Sequence, residues 1–434
     1  MRKLLVILLT GLVCPAFCLD RQPNADYHAR REAVAKKAGG VVVLMAPLES
    51  YDAAYHFRQD DNFYYLSGIT VPGAALLIAP ASESQAYTEV LFLPPRNLRL
   101  EKYTGQQLGA DNPDAAKITG FDRVDESSKL SEEVNKALAN RRPAVVYTIT
   151  ETHGSTPPDD DMQAFLRHSN SLLVFQDVAP LLSSLRTAKD AGEVALIKKA
   201  VDASAAAHIA AMKAMKANLK EYEISALMQY EWDRRGCERS AYSPIVGSGH
   251  NSTVLHYSDN INTMNAGAVV VIDAAAECSM YAADITRTLP VNGHFTPRQR
   301  EIYDIVLGAQ EAAMAAFRSG KSMLAGDSED SLNRVAREYI KTHGKDLHGQ
   351  PLDQYFIHGL GHYIGLNVHD PGDYRVALGP GVAFTIEPGI YIPEENIGVR
   401  IEDDYVVDAD GKLIKMSAAV PSKAEDVEKT MAGK

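Results

Sequence analysis

The chain has 434 residues, 46% hydrophobic and 23% charged, with a formal net charge of −12 and four cysteines. That length allows two or three domains with cores of their own, and the ordinary composition excludes a fibrous or low-complexity protein. So acidic a chain repels phosphate backbones, and it has no basic patch or interleaved aromatic and basic residues, so no nucleic-acid partner is expected.

The first element is MRKLLVILLTGLVCPAFC, residues 1–18: a short basic start, an apolar run, then small residues. This is the layout of a signal peptide, too short to span a bilayer, and it predicts export to a periplasmic or secreted location. Cleavage is expected near Ala16-Phe17-Cys18, with a lipid anchor on Cys14 or Cys18 as the alternative to a free mature protein. Removal takes the balance from −12 to −14 and leaves Cys237 and Cys278, which either pair or stay free.

Residues 22–183 alternate apolar runs (AALLIAP, 74–80; EVLFLPP, 89–95; PAVVYTI, 143–149) with helical patterns such as SSKLSEEVNKALAN (127–140). Short buried strands between helices predict an N-terminal α/β domain. None of these strands leads into a glycine-rich phosphate loop. A boundary falls near residue 183, and a second domain is expected over 184–425. Helices are predicted from Asp190 to about Lys216 and over 221–236, followed by strand-like YSPIVG, TVLHY, AVVVIDAAA and MYAADITRTLPV. The order then repeats. Thr296-Pro297-Arg298-Gln299 offers a cap, a first-turn proline and a capping-box glutamine for a helix to about Phe317. A helix over 328–343 and the strand-like GVAFTIEPGIYI and GVRIEDDYVV complete the pattern, which predicts two similar halves around one shared sheet.

Asp273 ends one apolar run and Asp284 begins the next, eleven residues on. If the chain folds back between Cys278 and Ser279, the two become cross-strand partners, with Cβ atoms roughly 4.5–5.5 Å apart. Two carboxylates so close need a shared proton or a cation. Glu387 in VAFTIEPGIYI and Glu402 in GVRIEDD are likewise charges inside apolar runs, where a partner is required; for Glu402 the plain alternative is an ion pair with Arg400, two positions away. HGLGHYIGLNVHD, 358–370, gathers His358, His362 and His369 among three glycines, which argue for a tight loop rather than a helix. His256 lies in VLHY. Oxygen-rich donors with imidazole suit Mn²⁺, Fe²⁺, Co²⁺ or Zn²⁺, and shared carboxylates suit two metals.

Together VVVIDAAAECSMYAADITRT, HGLGHYIGLNVHD, TIEPGIYI and GVRIEDD resemble the dinuclear-metal peptidases of the pita-bread fold. The closest branch is the one containing Xaa-Pro aminopeptidase (aminopeptidase P) and Xaa-Pro dipeptidase (prolidase). FRQDDNFYYLSGI, VLFLPPRN and YTGQQLG resemble that branch's N-terminal domain, and LRTAKDAGEVALIKKA its entry into the catalytic one. The resemblance implies metal ligands Asp273, Asp284, His362, Glu387 and Glu402, with Asp284 and Glu402 bridging two divalent ions, manganese first. It implies that His256, His358 and His369 line the substrate site, that Arg400 orients Glu402, and that Tyr391 lies close by. It implies a metal-bridging hydroxide that hydrolyses the bond before a second-position proline, with Glu387 handling the water proton. Homodimers or homotetramers are common among such proteins. A strict dipeptidase and a non-catalytic peptide-binding module on the same fold are the alternatives. Two departures bear on the hairpin: Ala275 stands where the family commonly has glycine, and the tip Glu277-Cys278-Ser279-Met280 lacks the glycine or asparagine of a primed turn.

Overall fold

The apolar runs before residue 183 form one six-stranded sheet in the computed structural model of the protein, which describes residues 19–49, 57–151 and 159–433. The expected leader lies outside the described residues. Across the sheet the strands run Arg123–Glu126, Thr88–Leu93, Ala75–Ala79, Val41–Met45, Val145–Thr148 and Val174–Asp177. Alternate side chains take opposite faces. Val41, Val43, Leu77, Val90 and Phe92 pack with Val134 and Leu166 of the helices Leu130–Leu138 and Asp160–Ser169. Val42, Leu44, Leu76, Ile78 and Leu91 face the other way, into a core that continues through Ile197, Val201 and Trp232 of the following domain. The two domains therefore share one apolar interior.

The next domain opens with the helix Ala191–Ala214, capped by a reciprocal Asp190–Glu193 box, and the helix Glu221–Asp233. Strands Ile245–Ser248, Val269–Asp273 and Thr286–Pro290 follow as an antiparallel set. The second half repeats the order. Its helix Pro297–Ala316 has the expected Thr296–Gln299 box, and its helix Leu332–His343 starts later than the pattern suggests, because Ser331 is the residue that caps it. Strands Ala383–Ile386, Gly389–Ile392, Ile397–Arg400 and Asp403–Val407 complete it. A bridge between Thr286 and Glu402 joins the halves. The shared sheet is not continuous: it breaks at 274–275, 387–388 and 401–402, next to or at the acidic residues singled out above.

Three local expectations change. TVLHY is not a strand; Gly249–Thr253 form a 3₁₀ turn and His256 follows in a loop, because polar Asn251, Ser252 and Thr253 sit where local hydrogen bonds compete with a ladder, as Ser252 Oγ to Gly249 O shows. The ligand hairpin turns one residue later than expected, between Ser279 and Met280, which moves its pairing by two residues: Asp273 opposes Thr286 rather than Asp284, and Cys278 opposes Tyr281. Both turn residues have positive φ, 54° and 72°, so a primed turn forms without glycine, with Ser279 and Met280 both buried. Cys278, in the strand Ala276–Cys278 leading to that turn, is disulfide-bonded to Cys237, which settles the open pairing.

Candidate metal centre

The loop 358–370 is non-helical, and its glycines have separate tasks. A Cβ on Gly361 would lie 2.0 Å from the Thr385 carbonyl oxygen. Without one, the loop lies alongside Ala383–Ile386 at a single bridge, Tyr363 opposite Phe384: Thr385 N–H donates to His362 O, Ile364 N–H to Ala383 O and Glu387 N–H to Leu360 O, at 2.8–3.1 Å. Gly365 similarly leaves room for Asp370 and Lys189. The contact places His362 against Glu387, which stands at the break after Ile386.

His362 Nδ1 faces the Tyr363 carbonyl at 3.1 Å. A carbonyl only accepts, so Nδ1 carries the proton and the Nε2 lone pair points the other way. There it meets Asp284 Oδ2 at 3.3 Å, Glu387 Oε1 at 3.4 Å and Glu402 Oε1 at 3.9 Å. Asp284, His362 and Glu402 can each aim one donor atom at a common ion, and Asp273 and Glu387 line the same cavity of about 500 Å³. Asp273 and Asp284 are diagonal neighbours rather than directly opposed. The Tyr242 hydroxyl joins them, 2.5 Å from Asp273 Oδ1 and 2.6 Å from Asp284 Oδ1. All five predicted ligands thus converge.

Arg400 is placed differently from the expectation. Its Nη2 donates to Asp273 Oδ2 at 2.6 Å, its Nη1 to Tyr391 Oη at 2.8 Å and its Nε to Thr286 Oγ1 at 3.2 Å, so it holds the first aspartate directly and reaches Glu402 only through Thr286. Glu402 Oε2 instead accepts from Thr286 Oγ1 at 2.6 Å. The reason is the strand break at Ile401, which ends the simple two-residue alternation that would have kept Arg400 and Glu402 side by side. Tyr391 lies behind the cavity and donates to His358 Nε2 at 2.8 Å, while His358 Nδ1 donates to Gly359 O. His369 packs edge-on against His362, ring centroids 4.2 Å apart, and His256 stands at the rim. Neither has a protein hydrogen-bond partner among the described residues.

The electrostatics show a cluster that wants a cation. Burial pushes Glu387 up to about 7 against the pull of His362, and burial with the repulsion of Asp284 lifts Glu402 well above the carboxylate range. Burial also raises Asp273, with Arg400 opposing it. Burial works against a charged His362, yet Asp284 and Glu387 outweigh it and raise the imidazole to about 9. Burial and then Arg400 lower His358 to about 4, so it is neutral. Hard oxygens around one correctly oriented imidazole fit divalent metal ions, which relieve this crowding.

Three contributors escaped the sequence reading. Tyr242 and Thr286 act through hydroxyls whose partners depend on the hairpin register. Asp404, fully buried, accepts from Asp284 N–H at 3.0 Å; its signal was present as the acidic run Glu402-Asp403-Asp404 at the end of an apolar strand.

Residues 195–409 match the model for metallopeptidase family M24, and residues 27–147 match that for the N-terminal domain of aminopeptidase P. The chain is 35% identical to the Xaa-Pro aminopeptidase of Haemophilus influenzae, over 95% of this chain and 98% of that protein. It is 33% identical to the Xaa-Pro aminopeptidase of Escherichia coli, over 94% and 97%. Among solved structures, proline aminopeptidase P II from Yersinia pestis superposes with a TM-score of 0.82 at 31% identity, covering 95% of this chain and 100% of that one. Aminopeptidase P from E. coli with the inhibitor Pro-Leu gives 0.83 at 30%, covering 95% and 99%. With its N-terminal α/β domain and its pita-bread domain bearing the carboxylate–histidine centre, the chain belongs to metallopeptidase family M24, in the aminopeptidase P branch.

Proposed function

We propose that the protein is an exported Xaa-Pro aminopeptidase that removes the first residue of peptides whose second residue is proline. The observation that carries this is the convergence of Asp273, Asp284, His362, Glu387 and Glu402 on one cavity, in a chain whose full-length relatives are Xaa-Pro aminopeptidases. Asp273, Asp284, His362, Glu387 and Glu402 would hold the ions, with the carboxylates of Asp284 and Glu402 able to serve both and His362 offering its one free nitrogen, Nε2, to a single ion. Manganese is the first choice for so oxygen-rich a set, with zinc, cobalt or iron(II) as alternatives. When bound, two such cations supply an acidified water and a Lewis-acid contact for the scissile carbonyl.

The chain's own residues do the rest. Arg400, Tyr242 and Thr286 fix which carboxylate oxygens stay free. Glu387, at the cavity wall, is placed to take the proton of the attacking water. Both ring nitrogens of His358 are engaged by protein, so it braces the wall. His369 and His256, with unengaged nitrogens, are the groups free to hydrogen-bond the developing oxyanion and to protonate the leaving nitrogen. Proline offers no N–H and a fixed ring; Leu255, Val368 and Tyr374 line the cavity as surfaces that select it by shape.

The Cys237–Cys278 disulfide supports export, because such bonds persist in oxidising compartments, as does the basic-then-apolar start of the chain. A homodimer or homotetramer remains part of this reading. Chelation of the purified mature protein is expected to lower Xaa-Pro hydrolysis by at least about 10³-fold, restored by Mn²⁺. His362→Ala should not be restored. Full activity after complete metal removal would overturn the proposal.

A further inference from the structure

Two polar side chains of the helix Ala191–Ala214 take no part in the chemistry above, yet both reach the hairpin that carries Asp273 and Asp284. Ser204 and His208 lie one helical turn apart, on one face of the helix, and are 0% and 1% exposed. They meet the hairpin where its first strand breaks, at 274–275, directly after Asp273. A buried peptide carbonyl there needs a donor, and His208 Nε2 supplies it to Ala274 O at 3.0 Å. Ala276 N–H donates to Ser204 Oγ at 2.9 Å, and that hydroxyl donates back into the helix, to Ala200 O at 2.8 Å. The Ile285 carbonyl, directly after Asp284, lies within hydrogen-bonding reach of the same ring. Burial and then Arg287 lower His208 to about 4, so the ring is neutral and holds the hairpin by a single N–H.

We propose that His208, assisted by Ser204, is a positioning residue of the metal centre: it stands in for the strand partner missing at the break and so fixes how Asp273 and Asp284 present their carboxylates to the ions. The inference rests on the metal-dependent reading above and extends it to a helix outside the cavity. The hairpin needs such a brace. Its own cross-strand bond at the break, Ala274 N–H to Ile285 O, is long at 3.3 Å, whereas a ligand set must be held to within roughly 0.5 Å. One imidazole addresses the peptide units that follow both aspartates, so it acts on their separation rather than on either alone. The surrounding helix sequence, Ala205-Ala206-Ala207 and Ile209-Ala210-Ala211, is apolar, and a fully buried imidazole in such a run is explained by the carbonyl it serves.

The test is calorimetric titration of the chelated full-length mature protein with Mn²⁺, together with thermal melting and with kcat and KM on Ala-Pro-Ala at saturating Mn²⁺. His208→Met removes the N–H and keeps the site filled. It should bind Mn²⁺ about tenfold more weakly and lower kcat several-fold, with KM within about twofold of wild type because the cavity walls are untouched. His208→Gln can carry an N–H to about the place of Nε2 and should recover most of the affinity. Leu196→Ala, buried about three turns earlier in the same helix, should melt lower with its Mn²⁺ affinity unchanged. A His208→Met protein that binds Mn²⁺ like wild type, a His208→Gln protein as weak as His208→Met, or an equal loss in Leu196→Ala overturns the proposal. If His208→Met does not fold, Ser204→Ala carries the test: it should bind Mn²⁺ several-fold more weakly, and unchanged affinity overturns the brace. Wild-type protein that binds no Mn²⁺ overturns the underlying reading instead.

Discussion

Between Asp273 and Asp284 the Tyr242 hydroxyl offers one proton to two carboxylates, and a few ångströms away His362 faces three more acidic oxygens. Without cations these groups hold protons. Glu387 is raised from 4.5 to about 7 and His362 from 6.5 to about 9. Both shifts make the folded chain bind more protons than the unfolded one, so they stabilise the metal-free fold at low pH and lose that contribution as pH rises. The Glu387 part fades through about 7 and the His362 part through about 9. Thermal melts of chelated protein should therefore show stability falling by a few kcal/mol between about pH 5 and 9, and saturating Mn²⁺ should abolish the fall by taking the place of the protons. A chelated protein that grows more stable over that range would contradict the assignment of these groups to one crowded cluster.

The hairpin that carries both aspartates is fastened at its far end. The Cys237–Cys278 bond ties it to the turn after the helix Glu221–Asp233 and closes a loop of 41 residues. The chain-entropy relation puts the stabilisation from a loop of that length at up to about 4 kcal/mol. The double variant Cys237→Ser, Cys278→Ser should melt correspondingly lower and, with its hairpin looser, bind Mn²⁺ more weakly in calorimetry; unchanged affinity would mean that the strand pairing alone fixes the aspartates. At this scale the sequence was readable where signals are local. The Thr296–Gln299 box and the glycine-spaced histidine loop form as their residues dictate. It was unreadable where strand register decides: Thr286, two residues beyond Asp284, sits opposite Asp273, and Arg400 pairs directly with Asp273 and reaches Glu402 only through Thr286. Turn chemistry normally announces register through glycine or asparagine, and Ser279-Met280 gives no such notice.

Across the whole molecule the domains meet at a buried ionic knot. Asp370, next to His369, accepts from Arg186 Nη2 at 2.6 Å and Lys189 Nζ at 2.8 Å, both from the segment that leaves the N-terminal domain. Asp370→Ala would strand two buried cations, at a cost of about 3–5 kcal/mol, seen as a lower melting temperature together with a raised KM through displaced His369. A melting temperature within a degree or so of wild type would show the knot to be dispensable. The layer plan was legible because periodicity switches visibly between strands and helices. The shared interior was not, since no sequence pattern says which of two apolar sheet faces meets another domain. The absent Cβ of Gly361 has one last consequence. Because the histidine loop is laced to the strand that ends at Glu387, imidazole and carboxylate move as a single stiff plate. Capturing an ion then demands no search by a wandering loop, and the speed of loading is left to how quickly the ion sheds its own hydration shell.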